Sequence, residues 1–392
     1  MKYGVLYRKT TKNIGDDMQS YAAEQWLPHT DYLVDIEAMD SFKADDDEPV
    51  ATIMSAWYMW EKWNWPPSKY VYPLWIGLHY NDIQRGRPRG MPSKFEYIES
   101  GPGKEYLKRF EPIGCRDYYT QERLSERGID NYFSGCVTLT LKKRPPKPRE
   151  REYIVLVGLA KSVEEAVKKQ MEGTGIDVIV EPPTRPIPSD QFMTWEQRRA
   201  EVEERLDLYQ NAKCVLTFRV HCALPCIALE TPVLWVRHNF NSVRLDPYKH
   251  YANTALNEDV IAGKYKDYML NPIPNPDTYK PVRENLEKII SEFIDKAEHE
   301  TRTASELYES QYTDEEIMQW RHDTMKKTLY SYHKEHHIDL REMTAMRNEL
   351  AKYQKIGDIE EVRRMNREYN SKIVKFAVKF RRLLLKLLGK KP

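Results

Sequence analysis

Arg219 and His221 stand one residue apart between two apolar runs, Cys214-Val-Leu-Thr-Phe218 and Val233-Leu-Trp-Val236. Each run is short and rich in apolar or β-branched residues, which predicts a buried strand. Residues 222–230 between them predict a short helix, with Pro225 in its first turn, where a missing N–H costs little. Arg219 and His221 therefore fall at the turn of a strand–helix–strand unit. In open α/β sheets the ligand crevice lies outside the carboxyl ends of the strands, and a helix N-terminus there favours anions. A guanidinium grips carboxylate or phosphate at two points. An imidazole, with an ordinary pKa of about 6.5, exchanges a proton near neutral pH. The pair suits a phosphorylated or carboxylated substrate whose reaction moves a proton. The plainer alternative is a buried Arg and His that only support the fold, because function resides in sites and not in folds.

The 392 residues that must position this turn suggest two or three domains. Residues 1–141 predict a Rossmann-like domain. Its expected order is a strand at 2–7, a loop, a helix at 16–26, an acidic loop at 40–49 and an aromatic stretch at 55–80. A strand end at 111–116, a helix at 120–127 capped by Thr120, and a strand at 131–141 follow. Residues 142–151 contain Lys142-Lys-Arg-Pro-Pro-Lys-Pro-Arg149 and read as an extended linker, since consecutive prolines continue neither helix nor sheet. Residues 152–300 predict a second such domain, with strands at 152–157 and 177–180, helices at 162–170 and 195–209, and then the Arg–Val–His unit. An irregular stretch at 237–280 precedes an amphipathic helix at 283–297. Residues 301–370 read as a charged helical extension.

Composition narrows the classes. No run of 18 apolar residues exists, and the first residues do not resemble a signal peptide, so a cytoplasmic protein is expected. Five cysteines without framework spacing predict reduced, buried thiols. The net charge of +1 conceals an asymmetry: residues 371–392 carry eight Lys or Arg and no acid, which leaves −7 for residues 1–370. That pattern argues against a nucleic-acid-binding body and points to a local electrostatic device at the C-terminus.

Three segments together resemble the polysaccharide pyruvyl transferase family. They are Asn13-Ile-Gly-Asp-Asp-Met-Gln-Ser-Tyr-Ala22; Gly114-Cys-Arg-Asp-Tyr-Tyr-Thr120 followed by Ser134-Gly-Cys-Val-Thr138; and Arg219-Val-His221 with its Pro-Val strand. The resemblance implies an α/β fold of two Rossmann-like domains in a GT-B-like arrangement, here with a C-terminal helical extension. It implies transfer of pyruvate from phosphoenolpyruvate, as co-substrate and with no resident cofactor, to a sugar of a surface polysaccharide or lipid-linked precursor. The chain departs from many members where a Gly-Gly-Gly turn follows an early strand, reading instead Met54-Ser-Ala-Trp-Tyr-Met and Asn64-Trp-Pro-Pro-Ser. That departure bears on the acceptor more than on the fold. Two other readings remain open at this stage. One is a GT-B-type glycosyltransferase with a nucleotide-sugar donor, and the other a non-catalytic, membrane-recruited scaffold for glycan assembly.

Forming a pyruvate ketal needs cations for phosphate and carboxylate, a proton donor and a base. Arg219 and Arg116 are the expected anion clamps, facing each other across the interdomain cleft, with a salt bridge to Asp117 the alternative for Arg116. His221 is the expected general acid, and His238 and Arg244 further donor contacts beside Arg237. Asn13, Asp16, Asp17 and Gln19 are expected to meet the acceptor, with helix capping the alternative for Asp16. Five of nine tryptophans fall within residues 57–75, and Trp65 is expected to stack on a sugar, with core packing the alternative. Asp45-Asp-Asp47 and His333, His336 and His337 lack the spacing of a metal site, and no metal is expected.

The tail completes the reading. Ile373, Phe376, Ala377, Phe380, Leu384, Leu387 and Leu388 form one helical face, and Lys372, Lys375, Lys379, Arg382 and Lys386 a second stripe. Residues 371–392 are expected to lie on an anionic membrane surface, peripheral at its inner face, with burial against the body or a partner the alternative. The expected partners are phosphoenolpyruvate, a saccharide acceptor, lipid-linked or free, and that membrane surface, with no nucleic acid. Oligomeric state is left open.

Overall fold

A computed structural model describes residues 1–58, 64–79, 96–147, 150–185, 193–238 and 245–334. Two compact units divide the chain. The first runs through the Rossmann-like halves to Gln311, and the second includes Tyr312 onward. The first unit thus extends past residue 300, where the helical extension was expected to begin.

The first half of that unit holds β1 (Lys2–Tyr7), α1 (Ile14–Glu24), β2 (Tyr32–Asp35), β3 (Val50–Met54) and β4 (Val71–Trp75). It continues with α2 (Glu96–Glu99), α3 (Gly101–Arg109), β5 (Ile113–Cys115), α4 (Tyr118–Glu126) and β6 (Asn131–Phe133). The strands are parallel, ordered β2-β1-β3-β4, and a parallel bridge from Leu78 to Cys115 leads on to the β5–β6 pair. Every residue of β3 is buried, as expected for a parallel strand covered on both faces.

The second half contains β7 (Tyr153–Val157), α5 (Lys161–Met171), β8 (Asp177–Glu181), α6 (Trp195–Gln210), β9 (Cys214–Thr217), α7 (Val220–Ala228) and β10 (Val233–Arg237). Beyond these lie β11 (Asn253–Leu256), α8 (Asn257–Ile261), α9 (Lys266–Leu270), α10 (Lys280–His299) and α11 (Ala304–Leu307). Its sheet is parallel, ordered β11-β10-β9-β7-β8. The order reverses between β7 and β9, so the crevice of this half lies at Val157 and at the turn after Thr217. The fold is α/β, two Rossmann-like halves with parallel sheets and a helical C-terminal region. In the second unit, α12 (Asp314–Lys334) is helical.

Several predicted elements are corrected. The strand expected at 131–141 stops at Phe133, because Gly135 takes φ +78° and the chain then closes a 3₁₀ turn over Val137–Thr140. The helix expected from Thr120 starts at Tyr118, capped by the Asp117 carboxylate, which accepts from Thr120 N at 2.9 Å. Residues 237–280 are not irregular throughout, since they hold β11, α8 and α9. The Pro-rich segment is tied down as far as Lys147: Arg144 donates to Asp207 at 2.7 Å and to the Tyr21 hydroxyl at 3.0 Å, and Lys147 pairs with Asp207.

One buried apolar cluster joins the halves. It includes Ile14, Met18 and Ala22 of α1, Ala51 and Ile53 of β3, Val155 of β7, Val215 of β9, and Ala223 and Ile227 of α7. The N-terminal ends of α1 and α7 therefore meet, and everything in the candidate site hangs on that meeting.

Candidate functional site

The loop from β1 into α1 supplies one wall. Asn13 caps α1, its Oδ1 accepting from Gly15 N at 3.2 Å, so the cap is Asn13 and not Asp16. Asn13 also bridges in antiparallel fashion to Thr184 of the second half. Gly15 is required by proximity: a Cβ there would lie 2.7 Å from His221 Cβ and 3.2 Å from His221 Nδ1. The opposite wall is the turn from β9 into α7. Arg219 N donates to Thr217 Oγ1 at 3.0 Å, and the Arg219 carbonyl accepts from Cys222 N and Ala223 N. His221 sits at φ −83°, ψ 28°, near the bridge region common at active sites.

Between the walls lies an open cleft, lined by Asn13, Gly15, Pro183, Arg205, Arg219 and His221 among others. Arg205 is paired with Glu181 at 2.6 Å. Arg219 makes no ion pair among the described residues, and its buried Nε has no hydrogen-bond partner there. Its guanidinium rests on the Phe218 ring at 4.7 Å, and Gly158, at φ +66°, lets the backbone after β7 approach it. Burial alone holds the Arg219 pKa below the ordinary arginine value. An always-charged, part-buried guanidinium without a carboxylate is a place where an anion is stabilised.

Cys136 approaches His221 from behind, with Sγ 3.7 Å from Nε2, and Thr138 Oγ1 donates to that sulfur at 3.2 Å. Neither residue was singled out as functional by sequence reasoning, although both lie in the Ser134–Thr138 motif.

Arg116 does not line this cleft. It is 2% exposed, donates from Nη1 to Gln19 Oε1 at 3.0 Å, stands over the Trp57 ring at 5.8 Å, and leaves Nη2 without a partner among the described residues. The alternative for Arg116, a salt bridge to Asp117, is also absent among the described residues. Asp117 instead holds His79 Nδ1 in a short contact and also accepts from the Thr120 hydroxyl. Burial would raise the Asp117 pKa, but His79, Thr120 and Arg116 outweigh it and hold it below the usual carboxylate range. Gln19 links the two regions, since it is one turn along α1 from Gly15 and donates to the Gly15 carbonyl at 3.4 Å.

The remaining predicted residues disperse. Asp17 is fully buried and paired with Arg185 at 2.6 Å and Arg198 at 3.3 Å, so it offers no face to an acceptor. Burial pushes its pKa up to about 6 even against those guanidiniums. Asp16 bonds Thr11 at 2.6 Å and Asn13 at 2.9 Å, at the edge of the cleft. Trp65 is wholly buried, packed against Tyr58, Trp75 and Tyr106, so no ring face is left for a sugar. His238 is exposed just past β10, outside the cleft lining. Arg244, His336, His337 and the tail residues 371–392 lie outside the described residues. Among the described residues, no metal-like cluster of His, Cys, Asp or Glu occurs, and no helix is long and apolar enough to cross a membrane.

No curated protein matches the chain. Among solved structures it is similar to the UDP-GlcNAc 2-epimerase of Methanocaldococcus jannaschii in complex with UDP-GlcNAc and UDP, at 14% identity over 74% of this chain and 100% of that one, TM-score 0.39. It is also similar to a UDP-N-acetylglucosamine 2-epimerase at 10% identity over 80% and 100%, TM-score 0.44. For the S. aureus MnaA–UDP co-structure the values are 10% identity over 74% and 91%, TM-score 0.37. The model of one family, polysaccharide pyruvyl transferase, matches residues 13–239, from the Asn13 cap to just past β10, and the chain belongs to that family.

Proposed function

We propose that this transferase moves pyruvate from phosphoenolpyruvate to two neighbouring hydroxyls of a saccharide, forming a ketal and releasing phosphate. The observation that carries the reading is Arg219, a guanidinium with no ion-pair partner among the described residues, set beside His221 at the sheet's crevice. Arg219 binds the donor's carboxylate or phosphate. His221 delivers a proton to the methylene, which becomes methyl, and the adjacent carbon gains oxocarbenium character. The two sugar hydroxyls then bond to that carbon while the carbon–oxygen bond to phosphate breaks. Of the two hydroxyl protons released, one restores His221 and the other leaves on phosphate. Arg116 supplies a second cation on the first half, reaching the donor only if Gln19 gives way.

We propose further that residues 371–392 hold the enzyme at the cytoplasmic face of an anionic membrane, each cation near the surface contributing about 1 kcal/mol. Cosedimentation with anionic vesicles that weakens with salt and is lost on deleting 371–392 supports this; equal sedimentation of both proteins refutes it.

The donor is tested by calorimetry with phosphoenolpyruvate beside a panel of nucleotide sugars. Saturable binding of phosphoenolpyruvate, lost in Arg219→Ala, supports the reading. Binding of a nucleotide sugar alone, by well-folded protein, overturns it.

A further inference from the structure

α6 brings a second guanidinium into the cleft. Arg205 and Tyr209 stand one turn apart on that helix, and both line the cleft with Arg219 and His221. Asp and Glu are absent from the described residues that line it. Arg205 is held from one side. Its Nη1 lies 2.6 Å from Glu181 Oε2 and donates to the Pro182 carbonyl at 3.1 Å. Glu181 ends β8, in register with Val157 at the end of β7, so this anchor belongs to the carboxyl edge of the sheet. Nε and Nη2 of Arg205 have no partner among the described residues. Those two nitrogens direct N–H bonds the same way, as the two-point edge of a guanidinium that fits an oxyanion.

We propose that Arg205 is the phosphate-binding residue of the cleft, meeting a phosphoryl group through its Nε–Nη2 edge while Arg219 meets the carboxylate of the same ligand. This deepens the transferase reading and rests on it for the identity of the ligand, though not for the affinity for phosphate.

The division follows from the chemistry. A donor with a carboxylate and a phosphate calls for two cations, and Arg116, bonded to Gln19, does not line the cleft, whereas Arg205 does. Arg219 is fixed one residue from His221. The carbon beside the methylene that takes the proton bears the carboxylate directly, and phosphorus lies one oxygen further out. The group nearer the proton donor therefore falls to Arg219 and the outer one to Arg205. Glu181 sets the direction of the fork but also repels a phosphate placed there, so it moderates the hold on a group that must leave as product.

Titrations of the full-length protein with inorganic phosphate, pyruvate and phosphoenolpyruvate, read by calorimetry and ligand NMR, separate the two positions. Arg205→Gln should weaken phosphate and phosphoenolpyruvate by about 10–100-fold, the range for a hydrogen bond to a charged group, and leave pyruvate binding unaltered. Arg219→Gln should weaken pyruvate and phosphoenolpyruvate and spare phosphate. Glu181→Gln keeps an acceptor for Nη1 and removes the opposing charge, so phosphate should tighten by about twofold to fivefold, an effect that fades with salt. A gain of this kind cannot come from misfolding. Folded Arg205→Gln protein that binds phosphate undiminished overturns the proposal, as does Glu181→Gln protein that binds phosphate no more tightly than wild type. Wild-type protein that binds neither phosphate nor phosphoenolpyruvate overturns it as well. Phosphate binding that depends on Arg205, in a protein without affinity for phosphoenolpyruvate, would leave the site standing and sink the transferase reading instead.

Discussion

Replacing Gly15 by alanine should separate catalysis from stability. The added Cβ would stand 2.7 Å from His221 Cβ, whereas carbons in ordinary contact lie about 3.5–4.0 Å apart, so one wall must give by about 1 Å. The backbone of α1 is anchored at this point by the Asn13 cap and by Ile14 and Met18 in the core, so His221 is the side that yields. A misplacement of about 1 Å at a reacting group costs about 10²-fold in rate. Overpacking destabilises by about 1–3 kcal/mol. Alanine recovers up to about 1 kcal/mol of that through its helix propensity. The expected result is kcat of phosphate release lowered by about two orders of magnitude. Melting should fall by no more than about 5 °C. Steady-state kinetics and thermal denaturation on the same preparation measure both. An unaltered kcat would refute the reasoning, because the contact would then be slack enough to absorb a methyl group. So would an equal loss in a His221→Gln background, because the effect would not pass through the imidazole.

Arg219→Lys keeps the charge but loses the planar fork, and calorimetry should show donor affinity weakened by about tenfold or more. Asp17→Asn, read by denaturant unfolding, should cost about 3–5 kcal/mol, because it leaves Arg185 and Arg198 without their buried carboxylate. Trp65→Ala should cost a similar amount, about 3–5 kcal/mol, while leaving acceptor KM unchanged in the folded fraction. Asp117 has a depressed pKa in the folded state, so its stabilising contribution is present above the ordinary carboxylate value of about 3.9 and is lost as pH falls through the lower folded value. Acid unfolding curves of Asp117→Asn should accordingly be flatter than wild type below about pH 4.

What could be read in advance follows from how local each signal is. The strands β7, β9 and β10 are uninterrupted apolar runs, and the turn holding Arg219 and His221 follows from them directly. The first half hides its sheet better. β4 contains Pro73, which ordinarily argues against a strand, and is tolerated because β4 ends the four-stranded order. The end of the strand at Phe133 depends on the left-handed conformation of Gly135, which its neighbours in sequence do not announce. The site shows the same division. Asn13 and Gly15 belong to a recognisable loop, but the partner that takes Asp17 out of the site, Arg198, is 181 residues away. Cys136 meets His221 across 85 residues, a contact with no trace in local spacing. Trp65 belongs to an aromatic cluster whose composition suits sugar stacking and core packing equally, and only its burial decides between them.

Purified protein incubated with phosphoenolpyruvate and cell-derived glycan precursors should release inorganic phosphate in proportion to a carboxyethylidene group gained by the glycan. Both signals, followed by mass spectrometry and phosphate assay, should vanish together in Arg219→Ala and His221→Gln. Folded protein that leaves phosphoenolpyruvate intact while transferring a sugar from a nucleotide donor to the same precursors would contradict the account.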